Sequence, residues 1–164
     1  MYYTYEQSPV GRLLLAGSSD ALKWIHFETP QGPSTPKSEW QYSDHHLTEV
    51  TRQRDAYFEG KLRTFDLPLE PDGTAFQKSV WQELLKIPYG ETVSYAEIAR
   101  RLSHPSATRA VGAANGRNPL PIVVPCHRVI GSSGKLTGYG GGIAIKEFLL
   151  SLERGFRGSR SLFS

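Results

Sequence analysis

The run Pro125-Cys126-His127-Arg128 sets a thiol directly before an imidazole and a guanidinium. An ordinary thiol, with a pKa near ~8.5, is only slightly ionised at neutral pH, so nucleophilic use needs a neighbour that takes its proton or stabilises the thiolate. His127 and Arg128 are groups of that kind. A lone buried cysteine can equally be an inert small hydrophobe, and both readings of Cys126 stand at this point. Adjacent side chains on an extended chain point to opposite faces, so proton exchange between Cys126 and His127 requires a bridging water or a sharp bend at Pro125. Farther on, Glu147 is either a solvated acid or a carboxylate that orients His127. The Cys-His pair also fits a thiol hydrolase, although no oxyanion site of comparable specificity accompanies it. Cys126 is the only cysteine in 164 residues, which excludes an internal disulfide and every zinc framework with two cysteine ligands. His26, His45, His46, His104 and His127 have no metal-ligand spacing, so no metal is expected.

The elements that must carry this run are legible on its N-terminal side. Glu70-Pro71-Asp72-Gly73 reads as a linker, and Thr74 with Gln77 makes a capping box ahead of Phe76, Val80, Trp81, Leu84 and Leu85. That helix ends before Pro88-Tyr89-Gly90. A second box, Ser94 to Glu97, opens a short helix through Leu102, and Ser106 can cap a third helix running to about Asn115. The two short helices, joined by His104-Pro105, resemble a helix-turn-helix. The third is rich in Ala and Gly, with Arg109 as the long cation of its first turns. Such a surface suits tight packing against protein or entry into a DNA groove. Leu120 to Val124 reads as a buried strand delivering Cys126, and Ile143 to Leu152 as a helix with apolar residues at 145, 148, 149 and 152.

The first half reads as a small α+β module, with strands at Tyr2 to Glu6, Arg12 to Ala16 and Leu22 to Phe27 and a helix from Leu47 to Phe58 stopped by Gly60. Residues 1–74 hold 7 basic and 11 acidic residues, a net −4, whereas residues 75–164 hold 12 and 5, a net +7. The total of +3 therefore hides two oppositely charged halves, and the basic one could face a polyanion. No apolar run approaches the ~18 residues of a membrane span, and the N-terminus lacks signal-peptide character, so a cytoplasmic protein is expected.

Ile122-Val123-Val124-Pro125-Cys126-His127-Arg128-Val129-Ile130, with Arg109-Ala110-Val111-Gly112-Ala113-Ala114-Asn115 and Asn118-Pro119, closely resembles the O6-alkylguanine-DNA alkyltransferase family. The resemblance runs from about Thr74 to Glu153 and includes Val80-Trp81, Ile87-Pro88-Tyr89-Gly90, Ser94-Tyr95 and Lys146-Glu147. The N-terminal half matches in size and in Ser8-Pro9-Val10-Gly11. The implied fold class is α+β: a small N-terminal α/β (ribonuclease H-like) support module over 1–72, a mostly helical winged-helix/helix-turn-helix domain over 73–156, and a flexible tail over 157–164.

The resemblance implies direct-reversal DNA repair by single-turnover transfer of an alkyl group from guanine O6 to Cys126, with activity on O4-alkylthymine left open. His127 would accept the thiol proton through a water, Glu147 would hold the imidazole, Tyr95 would protonate guanine N3, and Asn118 would order the turn beside the thiol. Arg109 would replace a nucleotide flipped from the stack, which offsets part of an extrusion cost of a few kcal/mol. Ser94, Thr108, Ala110, Ala113 and Arg117 would complete a DNA surface approached from the minor groove, where small residues permit close contact. Pro121, Val129, Tyr139 and Gly140 would line the alkyl pocket. The implied partner is double-stranded DNA containing alkylated guanine, with no cofactor, membrane or required protein partner, and with cooperative assembly on DNA left open. A DNA-binding relative without chemistry would lack the cysteine, which is present here.

Overall fold

The computed structural model describes residues 1–30, 34–134, 136, 139 and 141–155; Gly140 and the expected tail at 157–164 lie outside the described residues. The described chain forms two compact units, Met1–Asp72 and Gly73–Gly155.

In the first unit, strands β1 (Tyr2–Glu6), β2 (Leu13–Gly17), β3 (Leu22–Phe27) and β4 (Gln41–Tyr42) form one sheet in the order β3-β2-β1-β4. The first three strands are antiparallel, as the turn residues between them require, and every residue of the central β2 is buried. The parallel pairing of β4 with β1 has no signal in a two-residue exposed segment. Helix α1 (Thr48–Phe58) buries Val50, Tyr57 and Phe58, and Gly60 follows it at φ 75°.

The second unit is mostly helical. Helix α2 (Ala75–Leu84) starts at the foreseen capping box, with Thr74 Oγ1 accepting from the Gln77 amide at 3.1 Å and Gln77 Oε1 accepting from the Thr74 amide at 2.9 Å. Gly73 is required just before it, because a Cβ there would lie 2.5 Å from the Trp81 ring. Strand β5 (Val93–Ser94) leads into helix α3 (Tyr95–Arg101), and a turn leads on to helix α4 (Thr108–Gly116). Ser94 accepts from the Glu97 amide at 3.0 Å, but the Glu97 carboxylate turns to Arg100 and Arg101 instead of closing a second capping box. Ser106 does not cap α4: the N-cap position is Ala107, and no side chain bonds the first turn.

Leu120 to Val124 is not a strand. Asn118 Oδ1 accepts from the Leu120 amide at 2.9 Å, its Nδ2 donates to the Val124 carbonyl at 2.8 Å, and the Val124 amide returns to the Leu120 carbonyl. These bonds close the segment into a buried loop. They also hold Ile122 at φ 77°, which a β-branched residue adopts only when its surroundings impose it. A 3-10 turn at Cys126–Arg128 follows, then strand β6 (Val129–Ile130), parallel to β5, and finally helix α5 (Ile143–Glu153). Among the described residues no helix is long and apolar enough to cross a membrane.

Candidate active site

Cys126 opens the 3-10 turn, with only 5% of its surface exposed. The turn replaces the extended geometry that would have sent its side chain and that of His127 to opposite faces. Burial pushes the Cys126 thiol above its ordinary value, while a hydrogen bond to Asn118, the charge of Lys146 and a hydrogen bond to Tyr139 favour the thiolate. Asn118 and Tyr139 are thus among the groups that favour ionisation of the sulfur, and the structure adds Lys146. This lysine is fully buried and donates to the Val129 carbonyl at 2.7 Å. Burial lowers its pKa, and Cys126 opposes that shift.

His127 is completely buried, and its Nε2 lies 2.7 Å from Glu153 Oε2. The carboxylate partner is therefore Glu153 and not Glu147, which is exposed on α5. The physical reason is the helical repeat. Ile145, Leu149 and Glu153 succeed one another at one-turn intervals on the buried stripe, whereas Glu147 falls outside it. Burial alone would raise the Glu153 carboxyl, but hydrogen bonds from His127 and Arg128 hold it well below the usual carboxylate range. An ionised carboxylate only accepts, so Nε2 carries the imidazole proton and Nδ1 is left as the basic nitrogen. That Nδ1 is buried without a hydrogen-bond partner among the described residues. Burial lowers the His127 pKa despite Glu153, so the imidazole rests neutral.

The Ile87-Pro88-Tyr89-Gly90 turn supports this pair. Arg128 grips Glu153 with Nε at 2.7 Å and a terminal nitrogen at 3.0 Å, and its other terminal nitrogen donates to the Ile87 carbonyl at 2.7 Å. The guanidinium also lies 5.7 Å from the Tyr89 ring centre. The Gly90 amide reaches Glu153 Oε1 at 3.3 Å. Gly90 sits at φ 82°, and a Cβ there would come within 3.1 Å of the Glu153 carbonyl, so glycine suits the turn twice over.

The remaining predicted residues sort by face. Arg109, Ala110 and Ala113 lie on the exposed side of α4 and Arg117 is exposed at its end, while Val111, Ala114 and Asn115 are buried. Thr108 is half-buried in the first turn. Tyr95 begins α3 beside α4, where a Cβ on Gly112 would lie 3.9 Å from its ring. Pro121 and Val129 are buried. Glu153, Lys146 and Asn115 were not singled out by chemistry at the sequence level, although each occupies a buried helical stripe where a polar residue is itself a signal.

Two family descriptions cover the chain: "6-O-methylguanine DNA methyltransferase, ribonuclease-like domain" over residues 1–71 and "6-O-methylguanine DNA methyltransferase, DNA binding domain" over residues 75–155. A methylated-DNA–protein-cysteine methyltransferase of Methanosarcina acetivorans is 52% identical over 153 residues, spanning 93% of this chain and 98% of its own. The namesake from Mycobacterium tuberculosis is 50% identical over 155 residues, spanning 94% and 93%. The crystal structure of M. tuberculosis OGT in complex with DNA superposes with a TM-score of 0.91 at 47% identity, covering 100% of both chains. With both of its units matched and relatives at half identity or better along nearly all its length, the chain belongs to the 6-O-methylguanine DNA methyltransferase family.

Proposed function

We propose that this protein repairs alkylated DNA by moving the alkyl group from O6-alkylguanine in a duplex to Cys126, once per molecule. Family membership supplies the reaction class, methyl transfer from methylated DNA to a protein cysteine. The observation that carries the residue assignment is the buried bond from His127, which shares the 3-10 turn with Cys126, to Glu153 on α5. Thiol and imidazole both rest neutral. As Sγ bonds the alkyl carbon and the carbon–oxygen bond breaks, the thiol proton passes through a water to His127 Nδ1, and the imidazolium is stabilised by Glu153. The electrons of the broken bond go to guanine O6, and Tyr95 protonates the departing base at N3. To regenerate the sulfur, a nucleophile would have to displace the cysteine thiolate from an unactivated alkyl carbon of the neutral thioether, so the sulfur is not regenerated.

The DNA partner is proposed to lie along the exposed face of α4, with Arg109 occupying the stack from which the nucleotide is flipped. Ser94 and Thr108, at the helix starts, and Arg117 would position the phosphates. Tyr139, Pro121 and Val129 would enclose the alkyl group. The relative from M. tuberculosis was solved with DNA, in keeping with this partner.

The test is to incubate the protein with a duplex containing O6-methylguanine and to weigh both products. One methyl group should appear on the peptide holding Cys126, with guanine restored and one equivalent consumed per protein. Cys126→Ser should bind the duplex without reacting. Methyl released to water, or repeated turnover, would overturn the proposal. The same assay with O4-methylthymine reports whether that base is a substrate.

A further inference from the structure

The end of α4 remote from Arg109 is tied to the reactive turn. The Trp81 indole donates to the Ala114 carbonyl at 2.9 Å, which pins the last turn of the helix to α2. The next residue, Asn115, is 4% exposed, and its Nδ2 donates to the Cys126 carbonyl at 3.3 Å. Its Oδ1 is buried and meets no hydrogen-bond partner among the described residues. A buried amide with one unmet acceptor is a stability liability, and an aliphatic side chain of similar volume would remove it. The mechanism described above makes no use of this residue, and the fold would be served as well without its polarity.

We propose that Asn115 is a positioning residue for alkyl transfer. By holding the Cys126 carbonyl it fixes the peptide joining Cys126 to His127, so that the imidazole keeps Nε2 on Glu153 and Nδ1 available to the thiol proton. Arg109 and Asn115 lie on the same nine-residue helix, one on its exposed face and the other on its buried face. The DNA-facing surface and the reactive turn are thereby placed on one rigid element, which sets the sulfur's position relative to a bound duplex. A shift of even ~1 Å in such an arrangement can cost ~100-fold in rate.

This inference rests on the transfer reading, and its test separates the two. Asn115→Leu and Asn115→Ala are compared with wild type in single-turnover transfer at saturating duplex, in duplex affinity, in melting temperature, and in titration of the sole cysteine labelled with 13C at Cβ. The expected result for both is unchanged DNA affinity and a transfer rate lower by ~10-fold or more, with the rate–pH inflection and the cysteine titration both displaced upward. The leucine variant should melt no lower than wild type, and if leucine proves too large the alanine variant carries the same reading. A residue that only supported the fold would lower the melting temperature and leave the pH profile in place. Unchanged rate and titration in both variants would overturn the inference, as would a rate loss explained entirely by weaker DNA binding. The titration needs no substrate, so it judges Asn115 even if the wild-type protein transfers nothing, a result that would sink the transfer reading instead.

Discussion

At the residue scale, Glu153 gathers His127, Arg128 and Gly90 onto one carboxylate, and the proposed chemistry of Cys126 relies on that arrangement. Glu153→Gln should slow methyl transfer by roughly 100-fold or more, because the imidazolium formed during transfer loses its counter-charge. It should also cost about 3 kcal/mol in urea unfolding, since Arg128 is left as a buried cation without its partner. Glu147→Gln should leave the rate unchanged and the stability within about 0.5 kcal/mol. Equal effects of the two substitutions on rate would refute the assignment. Cys126 and His127 are legible in the sequence because their types and adjacency are unusual. The choice between two glutamates is not legible from adjacency to a motif. It depends on which face of α5 is buried, and the positions of Ile145 and Leu149 point one turn further to Glu153.

At the scale of elements, local signals succeed where local chemistry decides. The box at Thr74 and Gln77 forms because both partners lie within one turn, and Thr74→Ala should lower stability by about 1 kcal/mol, measured as a shift in the denaturation midpoint at unchanged slope. Glu97 departs from the same pattern because two arginines on its own helix compete for the carboxylate. The stretch Leu120 to Val124 departs further. Its apolar, β-branched composition describes burial correctly, but the backbone is directed by Asn118 from outside the segment. Periodicity carries no information about such a clamp. The pairing of β4 with β1 is illegible for a related reason, since two exposed residues have too little pattern to announce a partner strand.

For the whole molecule, buried titratable groups set the response to acid. Unfolded His127 takes up a proton near its ordinary value of 6.5, while the folded residue resists because burial lowers its pKa. Below that pH the unfolded state binds more protons, so stability should fall as pH drops through the range beneath 6.5. His26, also lowered by burial, acts in the same direction. A second decline begins near the ordinary carboxylate value of 4.5, where Glu153 ionisation is retained only in the folded state. Thermal melts across this range check the sign, and His127→Gln should flatten the upper limb; a stability rising on acidification would contradict it. The charge asymmetry of the sequence agrees with the placement of exposed Arg109 on α4 and of exposed Arg117 just past its end in the basic half. Burial of Cys126 has one more consequence, which concerns storage. In the proposed reaction each molecule spends its sulfur once and must keep it intact between synthesis and use, and oxidation to sulfenic acid requires an accessible thiolate. A neutral thiol with 5% exposure presents little of either, so the burial that holds the thiol protonated would also shield it from peroxide.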